Sequence, residues 1–296
     1  MGPAGEWSAI AESVRATTGA LPRIEEAAPV GGGCINRGFC LHTDAGALFV
    51  KLNDAEKLAM FEAEAAGLEE IAASKSVRVP RPICTGTDGA RSWLVLEFLR
   101  IGQAGSAMGR LGEQLASMHR TMRPRFGWKR DNTIGSTPQV NTEHSHWISF
   151  WRAQRIGYQL RLAQSNGYGG ALQRDAERLL ERLPAFFDSY MPVPSLLHGD
   201  LWGGNAAALE SGEPVIFDPA VYYGDREADL AMTELFGGFS PAFYSSYRSA
   251  WPLDPGYSTR RDLYNLYHVL NHLNLFGGSY LRQSQRMIAR LLAEVG

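Results

Sequence analysis

The chain has 296 residues, of which 45% are hydrophobic and 20% charged; these are globular proportions that exclude wholesale disorder and allow one large or two modest domains. The formal net charge of -2 argues against nucleic-acid binding through bulk positive charge, so we expect no nucleic-acid partner. Since no apolar run approaches the ~18 residues of a membrane span, we expect no membrane partner either. Three scattered cysteines and an N-terminus without a signal-peptide pattern predict a cytoplasmic protein.

The first hundred residues predict strands and one long helix. A glycine-rich segment at 30–40 precedes an apolar strand at 48–52, which contains Lys51. The Ala-, Glu- and Leu-rich segment 55–74 favours a helix by propensity and length, and a second buried strand is expected at 92–98.

Beyond a glycine-containing linker at 101–106, apolar residues recur mostly at helical spacing. Helices are predicted at 108–120, 147–163, 173–190, 260–276 and 283–295, and a β segment at 196–220 interrupts them. The sequence therefore predicts an α+β, bilobal architecture, with a small β-rich lobe over residues 1–99 and a larger, mainly helical lobe over 100–296. A cleft between two such lobes is a natural ligand site.

The most informative segment runs from His198 to Asn205. Asp200 and Asn205 have the spacing of a kinase catalytic loop, in which a carboxylate orients a hydroxyl and accepts its proton. The neutral amide oxygen of Asn205 is suited to Mg²⁺ because it adds no negative charge beside phosphates.

The residues after Asn205 predict a β-hairpin that turns at Ser211-Gly212. With the turn centred between these two residues, Asn205 lies opposite Asp218. Directly opposed residues are roughly 4.5–5.5 Å apart, so both side chains could hold one Mg²⁺.

Lys51 lies within an apolar strand, where an unpaired ammonium is costly, so it requires a carboxylate or a phosphate. Projection of the helix at 55–74 at ~100° per residue places Glu64 on the apolar face with Phe61 and Leu68. We expect Glu64 to pair with Lys51, which is the pair that positions phosphates in kinase-like sites. The alternative is a surface lysine and a solvated glutamate.

The glycines of residues 31–36 are weaker indicators, because such a segment is more often an ordinary turn. Gly32 and Gly33 lie about 15 residues before Lys51, where a hairpin could cover phosphates with backbone N–H groups. The segment from Glu97 to Leu99 lies between the predicted lobes, where backbone groups could bind an adenine edge.

A family resemblance rests on several longer segments of the amino-acid sequence. These segments are Asp131-Asn132 with 134–139, 154–157, 198–205 with Trp202, 217–220, 223–232 and 275–278. These segments resemble the fructosamine kinase (ketosamine-3-kinase) family, within the wider aminoglycoside phosphotransferase and protein-kinase-like fold. The resemblance covers nearly the whole chain.

The resemblance implies ATP-dependent phosphorylation of the C3 hydroxyl of ketosamines, small or protein-bound, which reverses glycation of amines. It implies that ATP and Mg²⁺ are used, that Asp200 is the catalytic base and that Asn205 and Asp218 are Mg²⁺ ligands. It also makes Lys51 and Glu64 the phosphate-positioning pair, with residues 1–99 as the nucleotide-binding lobe.

Substrate-side residues are less well defined by the sequence. Candidates for the sugar side are Asp131, Asn132 and Trp202. Asp225 and Glu227 either bind substrate amines or are buried structural acids, and both alternatives stay open. For Asp229 we favour a buried acid that accepts backbone N–H groups.

Cys34 stands in the glycine-rich loop, as a cysteine does in many members of the family. The resemblance implies redox control through a loop disulfide, so the protein is expected to be a monomer or a redox-dependent homodimer. A small apolar loop residue is the alternative.

Two other functions compete with this interpretation. A phosphotransferase for another small alcohol, such as an aminoglycoside or choline, would use the same catalytic residues. A non-catalytic nucleotide-binding scaffold would lack Lys51, Asp200, Asn205 or Asp218, all of which are present. The pairs His144 with His146 and His268 with His272 lack further clustered ligands, so we interpret them as core or surface residues rather than metal ligands.

Overall fold

The structure, a computed structural model, describes residues 7–31, 35–102 and 107–295. Contacts divide the chain into two compact units. The first comprises Met1–Leu111 and Gly204–Pro219, and the second comprises Gly112–Gly203 and Ala220–Gly296. The functional division predicted at residues 1–99 and 100–296 stays a prediction.

The described part of the first unit contains a five-stranded antiparallel sheet. Its strands are β1 (Ile24–Val30), β2 (Arg37–Thr43), β3 (Gly46–Asp54), β4 (Pro82–Thr87) and β5 (Arg91–Glu97). Their order in the sheet is β1-β2-β3-β5-β4, so the two strands expected from the sequence, β3 and β5, are paired neighbours at its centre.

One face of this sheet packs against helix α1 (Ser8–Thr18), which the sequence patterns did not predict. Trp7, Ile10 and Val14 form a core cluster with alternate residues of β3 such as Val50 and Leu52. Because side chains alternate across a strand, Lys51 between them points to the opposite face. That alternation is what separates the cation from the apolar core.

Helix α2 (Leu58–Ala73) follows a single 3₁₀ turn at Ala55–Lys57, close to the predicted range of 55–74. Its buried residues include Phe61, Leu68 and Ile71. Alanine, leucine and glutamate dominate the helix, and each has high helix propensity.

The first unit also contains a β-hairpin of β6 (Ala206–Ala208) and β7 (Pro214–Ile216), which comes from much later in the chain. Backbone hydrogen bonds attach its strands to the rest of the first unit: Ile216 N–H donates to Arg78 O at 3.0 Å, and Gly102 N–H donates to Ala208 O at 2.8 Å. A segment that follows the catalytic-loop motif thus belongs to the same unit as Lys51.

The second unit is mainly helical, as predicted. Its helices are α3 (Ala107–His119, with Gly112 onward in this unit), α4 (Trp147–Phe150), α5 (Gly157–Ser165), α6 (Ala171–Arg182), α7 (Glu227–Leu235), α8 (Pro241–Ala250), α9 (Tyr257–Phe276) and α10 (Tyr280–Glu294). A π-helical segment, Trp151–Ile156, connects α4 to α5. The sequence patterns missed α7 and α8, and they placed the start of α9 and of α10 three residues late.

Short strands complete the second unit. The strand β8 (Ser195–Leu197) pairs with β9 (Tyr222–Gly224), and β10 (Asn132–Ile134) pairs with β11 (Thr137–Gln139). The strand β8 leads directly into His198 and Asp200. This pairing fixes the start of the loop that carries the predicted base.

Candidate active site

Lys51 forms two short ion pairs inside the first unit. Its Nζ lies 2.6 Å from Glu64 Oε1 on α2 and 2.6 Å from Asp218 Oδ1, which follows the β6–β7 hairpin. The Lys51 and Glu64 side chains are 8% and 11% exposed. The predicted contact between Lys51 and Glu64 is therefore present, and Asp218 shares the same ammonium.

The two carboxylates keep Lys51 charged. Burial alone would lower the pKa of Lys51, but the charges of Asp218 and Glu64 outweigh burial and hold this pKa above its usual value. A buried cation with two anionic partners leaves the group with a net negative charge. Divalent cations favour such surroundings.

The hairpin register differs by one residue from the prediction. Ala207 pairs with Val215, and Phe217 N–H donates to Asn205 O at 3.1 Å, so Asn205 lies opposite Phe217 rather than Asp218. The predicted opposition of Asn205 and Asp218 is wrong.

The turn explains the difference. Leu209 N–H donates to Glu213 O at 2.8 Å, so the loop has three residues and is centred on Ser211 instead of between Ser211 and Gly212. Gly212 has φ 80°, the left-handed conformation expected at the end of a three-residue hairpin loop.

Asp218 is one residue beyond this pair and has an unusual backbone. Its φ of 58° lies in the left-handed region, which costs a residue with a side chain roughly 1–2 kcal/mol. Strained backbone in a non-glycine residue is frequent at functional sites.

The donor atoms here fit a magnesium ion. Asn205 is buried, and the Asp218 side chain is 45% exposed, with no hydrogen bond to its Oδ2 from any residue that the structure describes. Carboxylate and amide oxygens suit Mg²⁺. Among the described residues no cluster of three or more His, Cys, Asp or Glu side chains could hold a metal.

Not all residues predicted to bind nucleotide can be described. Gly32, Gly33 and Cys34 lie outside the described residues, although Val30 of β1 pairs with Gly38 of β2 on either side of them. The Glu97 carboxylate accepts hydrogen bonds from Arg78 Nη2 at 2.7 Å and Arg81 N–H at 2.5 Å.

The Glu97 backbone is also engaged, because its N–H donates to Arg81 O at 3.0 Å. Within residues 7–31, 35–102 and 107–295, we find no hydrogen bond to the backbone of Leu99. Of the two, Leu99 has the backbone groups available for a ligand.

In the second unit, the loop with Asp200 is held by Asp229 of α7. The Asp229 carboxylate accepts the N–H of His198 at 2.7 Å and of Gly199 at 2.8 Å, while Asp200 N–H donates to His198 Nδ1 at 3.2 Å. Asp229 is thus the buried acid that accepts backbone N–H groups, as favoured from the sequence.

Residue 199 must be a glycine because the backbone of Ala220 lies too close for a side chain. Its φ is 84°, and a Cβ at this position would lie 2.1 Å from Ala220 O. His198 O in turn accepts the N–H of Ala220 at 2.8 Å. The loop before Asp200 is therefore fixed on both sides.

A buried histidine that the sequence analysis missed supports Asp229. His119 Nε2 lies 3.1 Å from Asp229 Oδ2, and His119 Nδ1 lies 2.8 Å from Tyr247 Oη. Since a carboxylate only accepts, Nε2 carries the proton and Nδ1 accepts from Tyr247. The residue stands at the end of a helix with no local motif, so no sequence signal could have identified it.

These contacts set two pKa shifts. Burial raises the pKa of Asp229, but the hydrogen bonds from His119 and the backbone N–H groups outweigh it, so this pKa lies below its usual value. Burial lowers the pKa of His119, against the opposing effect of Asp229. The pair is therefore a neutral imidazole and a carboxylate.

Most of the candidate substrate-binding residues form hydrogen bonds or ion pairs with other residues of the second unit. Asn132 is buried and donates from Nδ2 to Val221 O at 2.8 Å. Asp225 is buried and accepts from Tyr264 Oη at 2.5 Å and from Tyr190 Oη at 2.9 Å.

Glu227 is equally enclosed, because it forms a two-pronged ion pair with Arg260 at 2.7 and 3.1 Å. These contacts favour the structural alternative for Asp225 and Glu227. Asp131 and Trp202 are exposed, although Asp131 Oδ1 accepts the N–H of Asn141 at 2.8 Å.

Sequence comparison gives the family. A sequence model of the fructosamine kinase family matches residues 6–294, nearly the whole chain. The chain belongs to the fructosamine kinase family. A probable ketoamine kinase of Synechocystis sp. is 49% identical over 288 residues, which cover 97% of each chain. The chloroplastic protein-ribulosamine 3-kinase of Arabidopsis thaliana is 44% identical over 277 residues, which cover 92% of this chain and 84% of that one.

Solved structures confirm the predicted protein-kinase-like fold. A Haemophilus somnus protein assigned as a fructosamine-3-kinase has a TM-score of 0.88 and 28% identity, with 96% of each chain covered. An aminoglycoside phosphotransferase, solved as a complex with ADP and hygromycin B, has a TM-score of 0.64 and 12% identity, covering 96% of this chain and 98% of that one. The fructosamine kinase fold thus extends to phosphotransferases of distant sequence.

Two further expectations concern the location and the oligomeric state of this protein. No helix in the described part of the chain has the length and apolar character needed to cross a bilayer. The cytoplasmic location and the oligomeric state, a monomer or a redox-dependent homodimer, stay predictions.

Proposed function

We propose that this protein is an ATP-dependent kinase that phosphorylates the C3 hydroxyl of ketosamines, the adducts formed when sugars glycate amines. Family membership supports both the reaction and the substrate class, since curated relatives are named for ketoamines and protein-bound ribulosamines.

The observation that carries the proposal is the buried Lys51 ammonium with Glu64 and Asp218 at 2.6 Å each. A buried lysine held by a helix glutamate is the device that positions phosphates in kinase-like sites. Nothing in the packing of the first unit otherwise requires a charge at this central strand.

Asp200 is assigned the role of general base. Its carboxylate orients the substrate hydroxyl and accepts its proton as the oxygen bonds to the γ-phosphorus, while ADP departs. Asp229 acts through the backbone of His198 and Gly199, so it is a positioning residue that restricts the loop before Asp200.

Asn205 and Asp218 are assigned to Mg²⁺, which, when bound, neutralises charge on phosphate oxygens. The backbone of Leu99 is assigned to the adenine edge, and Gly32 and Gly33 to the phosphates. Trp202 and Asp131 are assigned to the sugar side, where an exposed ring and an exposed carboxylate suit a hydroxyl-rich ligand.

The test is ATP consumption across a substrate panel. We expect turnover with fructosamines, ribulosamines or erythrulosamines, and ³¹P NMR should locate the new phosphate on C3. Hygromycin-type aminoglycosides and choline are the competing acceptors. Turnover of one of these, with every ketosamine inert, would contradict the proposal.

The control is Asp200→Asn, which keeps size and hydrogen bonding but cannot accept the proton. We expect a loss of about 10²–10⁴-fold in kcat with ATP affinity largely retained. Turnover within tenfold of the wild type would reject Asp200 as the base.

A further inference from the structure

A strip of aromatic rings begins within the catalytic motif, at Trp202, and continues through the second unit. We define the aromatic strip as Trp202, Phe236, His272, Phe276 and Tyr280. Ring centroids of Trp202 and Phe236 are 6.3 Å apart, and those of Phe236 and His272 are 5.1 Å apart. His272 lies 5.5 Å from Phe276 and 5.2 Å from Tyr280, so each ring touches the next.

Three elements converge to build the strip. Phe236 follows the end of α7, His272 and Phe276 stand four residues apart on one face of α9, and Tyr280 begins α10. Trp202 stands two residues after Asp200 in the sequence.

The strip is unusually exposed. Trp202 is 39% exposed, Phe236 38% and Phe276 60%. Within the described ranges, every other Trp, Phe and Tyr is buried or half-buried. Because exposed aromatic area is unfavourable in water, its concentration in one chain of touching rings indicates a binding surface.

A hydrogen-bond acceptor lies at the centre of the strip. His272 Nδ1 donates to His268 O at 2.8 Å, so Nδ1 carries the proton and Nε2 is an acceptor. The structure shows no hydrogen bond to Nε2 from the residues it describes. Burial lowers the pKa of His272, which keeps the ring neutral so that it does not repel a cation.

We propose that the aromatic strip beyond Trp202, which stays on the sugar side, binds the amine-bearing part of the ketosamine, namely its secondary ammonium and the carbon chain beyond it. The inference rests on the proposed function. A secondary ammonium is a cation with two N–H donors, which matches ring faces that attract cations and an imidazole nitrogen that accepts. The methylene groups of a glycated lysine side chain then pack on the exposed ring of Phe276.

The first experiment varies the amine while keeping the sugar constant. It compares kcat/KM for the fructosamine of methylamine with kcat/KM for Nα-acetyl-lysine amide that carries the same 1-deoxyfructosyl group on Nε. We expect Phe276→Ala to lower the preference for the lysine adduct about fivefold or more, because the packing surface for its methylenes is gone. Met191→Ala is the matched control, since Met191 is an apolar residue of the same unit that is 88% exposed and is not a member of the strip.

The second experiment removes the acceptor but keeps a ring. His272→Phe retains contact with its aromatic neighbours and loses Nε2. The probe pair is a fructosamine and its ether analogue, in which oxygen replaces the amine nitrogen. We expect the preference for the amine over the ether to shrink about fivefold in this variant.

The outcomes separate the two proposals. Wild-type protein that phosphorylates no ketosamine would contradict the proposed function itself. Normal turnover with unchanged substrate ratios in both variants would overturn the aromatic strip as the amine site. Unchanged ratios together with a shift in oligomeric mass for Phe276→Ala would identify the strip as a contact between copies, which also overturns it.

Discussion

Lys51 and Asp218, which are 167 residues apart in the sequence, are joined by a hydrogen-bonded ion pair of 2.6 Å. The same ammonium is held at 2.6 Å by Glu64, so the β-sheet, helix α2 and the β6–β7 hairpin meet at one cation. Substituting one partner of this buried group measures what each contact contributes to the free energy of unfolding and what it contributes to catalysis.

Lys51→Met should lose both stability and activity. The methionine fills a similar volume but leaves the Glu64 carboxylate buried without its cation, which costs about 3–5 kcal/mol. We expect this loss in the free energy of unfolding, measured by urea denaturation. The kcat/KM for ATP should fall at least tenfold.

The double variant Lys51→Met/Glu64→Gln separates the two effects. A neutral amide no longer requires a cation, so we expect most of the stability to return while the loss in kcat/KM for ATP persists. Recovery of activity together with stability would show that Lys51 is purely structural.

Gly199→Ala tests the fixed loop before Asp200. A Cβ there would lie 2.1 Å from Ala220 O, and φ is 84°, so the backbone must shift. We expect a loss of about 2 kcal/mol or more in unfolding free energy, with a large fall in kcat. In the control Gly169→Ala, no atom lies within 4 Å of the new Cβ, so stability should change by less than about 0.5 kcal/mol.

The buried histidine predicts a pH dependence of stability. The pKa of His119 lies below its ordinary 6.5, so the unfolded chain binds a proton that the folded protein does not. Stability from this group is therefore complete above pH 6.5 and is lost as pH falls from there toward the folded pKa. His119→Gln should reduce the slope of unfolding free energy between about pH 6.5 and 5 by up to about 1.4 kcal/mol per pH unit.

Urea denaturation at several pH values measures that slope. His146→Gln, at an exposed histidine of the same unit, is the control. An unchanged slope in His119→Gln would mean that the imidazole is protonated in the folded protein.

Glu227→Gln decides between the structural and the substrate-binding alternatives for this acid. The variant removes the two-pronged anionic partner of Arg260, which is 2% exposed, and leaves Asp254 at 2.7 Å as its remaining anion. We expect about 2 kcal/mol less stability, with the KM for a ketosamine within twofold of the wild type at a temperature where the variant is folded. A selective rise in this KM without a loss of stability would instead assign Glu227 to the substrate.

Local chemistry explains which features could be predicted from the sequence. An apolar strand with one lysine and a helix with one acid on its apolar face were sufficient to predict the contact between Lys51 and Glu64. A charge buried in a strand requires an oppositely charged partner nearby, so few arrangements satisfy this pattern. Most helices beyond residue 107 followed from the spacing of their apolar residues, although α7 and α8 did not.

Features that depend on tertiary contacts were missed. The hairpin register depended on whether its loop had two or three residues, and Ser211-Gly212 is compatible with both. Helix α1 is short and is stabilised by packing on the sheet, whereas His119 acts through Asp229, 110 residues away. Neither long-range contact leaves a local pattern.

The β6–β7 hairpin has a consequence for inheritance and for protein engineering. Its residues, Gly204–Pro219, are encoded far from the remainder of the first unit, which ends at Leu111. Exchange of a gene segment that ends near residue 100 would transfer Lys51 and Glu64 without the matching Asp218, leaving an ammonium with half of its counter-charge. Recombination between distant kinases is therefore expected to succeed only when both stretches travel together.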